Sequence, residues 1–166
     1  MMNSRMSQET KDPRGGFRLI TSVRVRYSEA DMQGIVFNAN YLAFADVGVT
    51  EYFRALVGAK GNEDSLGKFM ELFGGDNWVR HAEVEFLAPA KADDLIDVCV
   101  RITRFGRTSY SALVHIVRED VLLNVIKLTY VWFDPATEQV TPVAQSFIDA
   151  VTEFEIIEPE RPAILV

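Results

Sequence analysis

Residues 24–54 read RVRYSEADMQGIVFNANYLAFADVGVTEYFR. Three signals follow one another in this stretch. Val23 and Val25 alternate with Arg24 and Arg26, the period-2 pattern of a strand with one buried face, and predict a first strand over Leu19–Tyr27. Ser28 to Gly34 interrupts it with turn-forming residues, and Gly34 can supply a positive φ. Ala39–Leu56 then reads as a helix, because Tyr41, Phe44, Ala45, Gly48 and Tyr52 recur on one face. Leu42, Val49, Phe53 and Leu56 form a second apolar stripe beside it, so burial on most sides is expected. Ala45 and Gly48 leave room for a sheet to approach. Asn38 or Asn40 is the expected N-cap, and Gly58 ends the helix.

Outward from the helix, Asp64–Phe73 is a short helical segment capped by Asp64 or Ser65, and Gly74–Asn77 is a turn. From Trp78 the pattern changes to strands. Ala82, Val84 and Phe86 alternate with Glu83 and Glu85 until Pro89 stops the run. Ile96–Thr103 and Tyr110–Ile116 alternate in the same way across a tight turn at Gly106-Arg107. Glu119-Asp120 turns again, and Val121–Phe133 is apolar on both faces, as an interior strand requires. Gln139–Val143 adds a short strand and Ser146–Phe154 a terminal helix. Strand, helix, then strands joined mostly by short hairpins is an α+β pattern: an antiparallel sheet of about five strands round one long helix. The domain is expected over residues 18–155. A polar, disordered N-terminal tail at 1–17, with Pro13 and Gly15-Gly16, and a loose C-terminal tail at 156–166, with Pro159 and Pro162, would lie outside it.

The 166 residues suffice for one domain with a real core. A net charge of −7 argues against a nucleic-acid partner, which needs clustered Lys and Arg, but leaves room for an anionic small ligand held by a local basic patch. The one cysteine, Cys99, excludes an intrachain disulfide framework and fits a reducing compartment. His81 and His115 are the only histidines and are isolated, so no metal site is expected. No apolar run approaches the ~18 residues of a membrane span, and residues 1–17 lack the apolar core of a signal peptide. A cytoplasmic location is expected. No Gly-x-Ser-x-Gly, P-loop or Gly-x-Gly-x-x-Gly motif is present.

RYSEADMQGIVFNANYL, Arg26–Leu42, resembles the opening motif of the 4-hydroxybenzoyl-CoA thioesterase family of the hotdog fold, and most of all its short-chain acyl-CoA branch associated with the Tol-Pal system. Arg26, Tyr27, Glu29, Asp31, Gly34, Ile35, Val36, Asn40 and Tyr41 stand at the motif positions. The resemblance continues through Glu85-Phe86-Leu87-Ala88-Pro89, Asp93-Asp94 and Arg104–Ser109. It implies an acyl-CoA thioesterase with Asp31 as nucleophile or general base, and no cofactor other than the coenzyme A of the substrate. It further implies a homodimer with one continuous sheet and two interface sites, or a dimer of dimers. Gly34, Val36, Asn38 and Tyr41 would line the substrate from one subunit. Gly75, Asp76 and Asn77 of the second subunit would lie near an amide that polarises the thioester carbonyl. Arg107 and Ser109 would meet a coenzyme A phosphate. On spacing alone, Asp31 before Gly34 reads as a turn former; the catalytic role comes from the resemblance. Asn38 stands where relatives of that branch usually carry His. An acyl-carrier-protein thioesterase and a non-catalytic thioester-binding protein are the alternative readings.

Overall fold

The computed structural model describes residues 11–162. Its elements are β1 (Leu19–Arg24), a 3-10 turn (Tyr27–Glu29), α1 (Asn40–Leu56), α2 (Ser65–Phe73), β2 (Asp76–Phe86), β3 (Leu95–Phe105), β4 (Ser109–Arg118), β5 (Val121–Asp134), β6 (Gln139–Val140) and α3 (Gln145–Phe154). The sheet is antiparallel in the order β1-β3-β4-β5-β2, with β6 beside β5. Hairpins join β3 to β4 and β4 to β5. The β2–β3 connection passes β5 and β4, and β1, paired beyond β3, lies at the edge opposite β2.

The predicted periodicities hold where burial drives them. Ile96, Val98, Val100 and Ile102 of β3, and Tyr110, Ala112, Val114 and Ile116 of β4, are buried on the face that α1 covers. Tyr41, Phe44, Ala45, Gly48, Val49 and Tyr52 of α1 are buried. Gly48 sits where a methyl group would collide with Val98 and Val100, so its missing side chain sets how closely α1 approaches β3. At the far end of α1, Phe147 of α3 is fully buried. It meets the rings of Phe69, Phe73, Phe105, Tyr110 and Trp132 at centroid separations of 5.0–6.0 Å. Aromatic pairs at these distances add roughly 0.5–1.5 kcal/mol each beyond their buried area. This cluster ties α2 and α3 to the sheet.

Several local expectations are corrected. β1 ends at Arg24 rather than Tyr27, because the Glu29 carboxylate captures the backbone and guanidinium of Arg26 and winds a 3-10 turn. Neither Asn38 nor Asn40 caps α1. The N-cap is Ala39, without a side-chain bond, and the Asn40 amide instead donates to the carbonyl of Glu29 at 2.8 Å. Asp64 does cap α2, accepting from the Gly67 N–H at 3.0 Å. β2 begins at Asp76, inside the expected turn, because Asp76 and Asn77 already pair with Phe133 and Trp132. β6 stops at Val140 and α3 starts one residue early.

The tails are corrected too. Residues 1–10 and 163–166 of the expected tails lie outside the described residues. Residues 11–17 turn onto the outer sheet face, where Phe17 packs with Cys99 and Val117 and Arg14 pairs with Asp97 at 2.7 Å. Burial pushes the Cys99 thiol up to about 12, which makes it a structural group. At the other end, Glu160 bridges Arg104, its backbone exchanging hydrogen bonds with Thr103 and Phe105. Glu155 is buried as well. Its Oε1 accepts from the Tyr52 hydroxyl and the Ile102 N–H, both at 2.7 Å, and burial raises its carboxyl above the usual range.

Gly48→Leu is expected to lower the unfolding free energy by about 1–3 kcal/mol through overpacking against Val98 and Val100. Urea titration followed by circular dichroism checks it.

Candidate active site

Asp31 sits in a four-residue turn closed on both sides. Its N–H donates to the Ile35 carbonyl at 2.8 Å, and its carbonyl accepts from Gly34 at 3.0 Å. Its Oδ1 accepts the Gln33 N–H at 2.7 Å. Gly34 adopts φ +76°, the left-handed conformation expected of it. The carboxylate therefore is a turn former. It also stands on the wall of an open groove of about 670 Å³ with Tyr27, Ala30, Met32, Gly34 and Ala92. Met32 and Tyr27 are almost fully exposed there.

The segment after the turn folds back onto the start of α1. Phe37 donates to the Glu29 carbonyl, the acceptor also used by the Asn40 side chain, and Val36 donates to Ala90. The first helical amides, Asn40, Tyr41 and Leu42, are spent on the carbonyls of Phe37, Asn38 and Ala39. Among the described residues, the amides of Asn38 and Ala39 have no acceptor. They are the free donors at this helix end. Asn38 lines a cavity of about 220 Å³ with Ile35, Val36, Tyr41 and Phe86–Pro89. The Tyr41 ring forms its floor against Phe86 at 5.7 Å, while its hydroxyl accepts the Ala90 N–H at 2.9 Å. That hydroxyl is thus a brace for residues 88–90, and burial raises its pKa.

The remaining predicted residues lie elsewhere. Gly75 is buried with its α-carbon against the Trp132 indole, where any side chain would collide. Its identity is explained by packing. Asp76 turns its Oδ1 to the Asn77 N–H at 2.7 Å, so that amide is occupied. Asp76 and Asn77 line a second cavity, of about 270 Å³, with Thr50, Phe53, Ser65, Leu66 and Phe69. Arg107 is exposed on the β3–β4 hairpin, which the sheet holds by bonds from Val143 to the Arg107 carbonyl and from Trp132 to the Thr108 carbonyl. Ser109 shares a cross-strand row with Val131 and Trp78. The hairpin is therefore at the Asp76 end of the sheet.

Within one chain the predicted residues thus form two groups, Asp31–Tyr41 beside the Phe86 end of β2, and Gly75–Asn77 with Arg107 and Ser109 beside its Asp76 end. β2 is 11 residues long, roughly 33 Å at ~3.3 Å per residue. One chain does not bring the two groups together. Among the described residues, no cluster of three or more His, Cys, Asp or Glu side chains could hold a metal ion, and no described helix is long and apolar enough to cross a membrane.

Sequence reasoning missed one residue here. Asn124 of β5 is fully buried, and neither amide atom has a hydrogen-bond partner among the described residues. It shares a row with Ile116 and with Phe86, a wall of the smaller cavity. The signal was a lone amide in the apolar run VLLNVIKL.

The chain matches the model of the Thioesterase superfamily over residues 33–124. It is 33% identical over 114 residues to the acyl-CoA thioester hydrolase YbgC of Escherichia coli, spanning 68% of this chain and 80% of that one. A thioesterase from Thermus thermophilus, solved with coenzyme A and Zn, aligns with TM-score 0.71 at 22% identity over 84% of this chain and 96% of its own. A hypothetical protein from Staphylococcus aureus, solved in complex with CoA, aligns with TM-score 0.72 at 14% identity over 86% of both chains. These two solved structures share the fold.

Asn124→Val is expected to raise stability by about 1 kcal/mol or more, since an orphaned buried amide costs roughly 1–3 kcal/mol. A higher urea midpoint is the expected result; a lower one would show that the amide has a partner.

Proposed function

The chain belongs to the thioesterase superfamily and is a thioester hydrolase, and we propose that it converts an acyl- or aroyl-CoA thioester to the free acid and coenzyme A with Asp31 as nucleophile or general base. The observation that carries this reading is the position of Asp31. It stands on an exposed, hydrogen-bonded turn whose neighbouring Glu29 carbonyl binds Phe37 N–H and the Asn40 side chain at the helix end that carries two free amides. Attack at the thioester carbon, by the carboxylate or by water that it deprotonates, moves charge onto the carbonyl oxygen. The Asn38 and Ala39 N–H groups are the donors we assign to that oxygen. The thiolate of coenzyme A leaves. In direct attack, water then cleaves the acyl–Asp31 anhydride and restores the carboxylate.

The same proposal includes a second protomer. β2 is an edge strand, and its Trp78, Val79 and Phe86, with Leu87 beyond, are large apolar residues left exposed. Pairing of β2 with its copy about a two-fold axis would continue the sheet. In that antiparallel arrangement, the Asp76 end of one strand faces the Phe86 end of the other. Each Asp31 group then meets the partner's Gly75–Asn77 group. Arg107 of that second group, exposed and without an ion pair among the described residues, is the residue we assign to a phosphate of coenzyme A. We place the reaction in the cytoplasm, where one reduced, buried thiol is ordinary.

Asp31→Asn is expected to keep the fold and lower kcat by at least about a hundredfold, the lower range for a positioned acid–base group. Thiol release from acyl-CoA, followed spectroscopically, measures it. Undiminished turnover would remove Asp31 from the mechanism. Thermal stabilisation of the unmodified chain by acyl-CoA without thiol release would mark a binding protein, and faster release from the acyl carrier protein than from CoA would change the carrier.

A further inference from the structure

The pocket between α1, α2 and the start of β2 has features that the hydrolytic reading does not use. Its walls are apolar: Phe53 from α1, and Leu66 and Phe69 from α2. Thr50, Ser65, Asp76 and Asn77 supply the polar atoms. The base is rigid, because Phe69 is buried and packs on Phe53 at 5.0 Å, on Phe73 at 5.0 Å and on Trp132 at 5.8 Å. α2 itself is fixed at both ends, by the Asp64 cap and by Gly74 in the left-handed conformation. Leu66 is the exception, with 54% of its surface open. An apolar side chain held over a preformed cavity is a site for an apolar guest.

We infer that this pocket, supplied by the partner protomer, holds the tail of the acyl group and makes the substrate class an uncharged aliphatic acyl chain of medium length. The inference rests on the proposed hydrolysis and on the β2 two-fold. That two-fold places the pocket of one protomer end to end with the Asn38–Tyr41 cavity of the other. With the thioester carbonyl at the Asn38 and Ala39 amides, the alkyl chain extends past the partner's Asn77 toward its Phe53 and Leu66. The volume, about 270 Å³, holds on the order of nine groups the size of a water molecule at ~30 Å³ each. A methylene is of that size, so the pocket is filled by an acyl chain of roughly eight to ten carbons. A terminal carboxylate would be desolvated among phenyl rings and face the Asp76 carboxylate, both unfavourable.

The test is a panel of butanoyl-, octanoyl-, dodecanoyl- and glutaryl-CoA with the full chain and with Leu66→Trp and Leu66→Ala. The full chain is expected to favour octanoyl over butanoyl by at least tenfold in kcat/KM, since each methylene that finds a hydrophobic pocket is worth a several-fold preference. Glutaryl-CoA is expected to be slower than octanoyl-CoA by a hundredfold or more. Leu66→Trp fills the pocket and should lower the octanoyl-to-butanoyl ratio at least tenfold. Leu66→Ala enlarges it and should raise the dodecanoyl-to-octanoyl ratio. Hydrolysis with ratios unmoved in both variants, or a preference for glutaryl-CoA, overturns the pocket assignment and leaves the hydrolase intact. Hydrolysis of none of the four esters overturns this inference, and the same result with benzoyl-CoA overturns the proposed hydrolysis as well.

Discussion

Among the described residues, β2 has a hydrogen-bonded partner on one side only, and the proposed site depends on what occupies the other. An open strand edge with exposed Trp78, Val79 and Phe86 is a template for further pairing. Glu83 and Glu85 are the charges it carries in its second half, and Trp78 is steadied by stacking on Phe133 at 4.1 Å. The strand also separates two polar groups that no side chain could bridge. Ordering a second copy on this edge would therefore satisfy backbone groups, cover apolar rings and assemble the site in one step.

The other half of the design is the way the chain supports the Asp31 turn without burying it. The Glu29 carbonyl receives both Phe37 N–H and the Asn40 side chain, so the loop leaving the turn is stitched to the first turn of α1. The Tyr41 hydroxyl holds Ala90 from the same helix end. α1 in turn is seated on β3 by the gap at Gly48 and locked at its far end by the rings around Phe147. The turn is exposed, yet its backbone is anchored to the helix that packs across the sheet. Such rigid support is what positioned chemistry requires.

Much of this was legible in the chain. Alternation in β3 and β4, the Tyr41-to-Tyr52 stripe of α1, the Asp64 cap and the positive φ at Gly34 all follow from local rules that tertiary packing reinforces, whereas of the second α1 stripe only Val49 is buried and Leu42 stays exposed. The motif around Asp31 pointed to the family. What escaped was set by long-range partners. The Asn38 and Asn40 amides look like caps until the Glu29 carbonyl, eleven residues before Asn40, claims one of them. Residues 11–17 look like a solvated tail, yet Arg14 finds Asp97 and Phe17 finds Cys99 across the outer face. Gly75 owes its missing side chain to Trp132, a distant neighbour that no local pattern announces. The division of the candidate residues into two groups was implied by the resemblance and not by spacing; within one chain it follows from the length and edge position of β2.

The composite site is tested most directly by measuring turnover and sedimentation on the same samples. A dilution series of the unmodified chain would be compared with a Val79→Lys variant, whose charge sits on the open edge. Turnover per chain is expected to fall in step with the dimer fraction, and the folded Val79→Lys monomer to be inactive while its circular dichroism is unchanged. A monomer that hydrolyses acyl-CoA at the full rate per chain would contradict a site built from two copies.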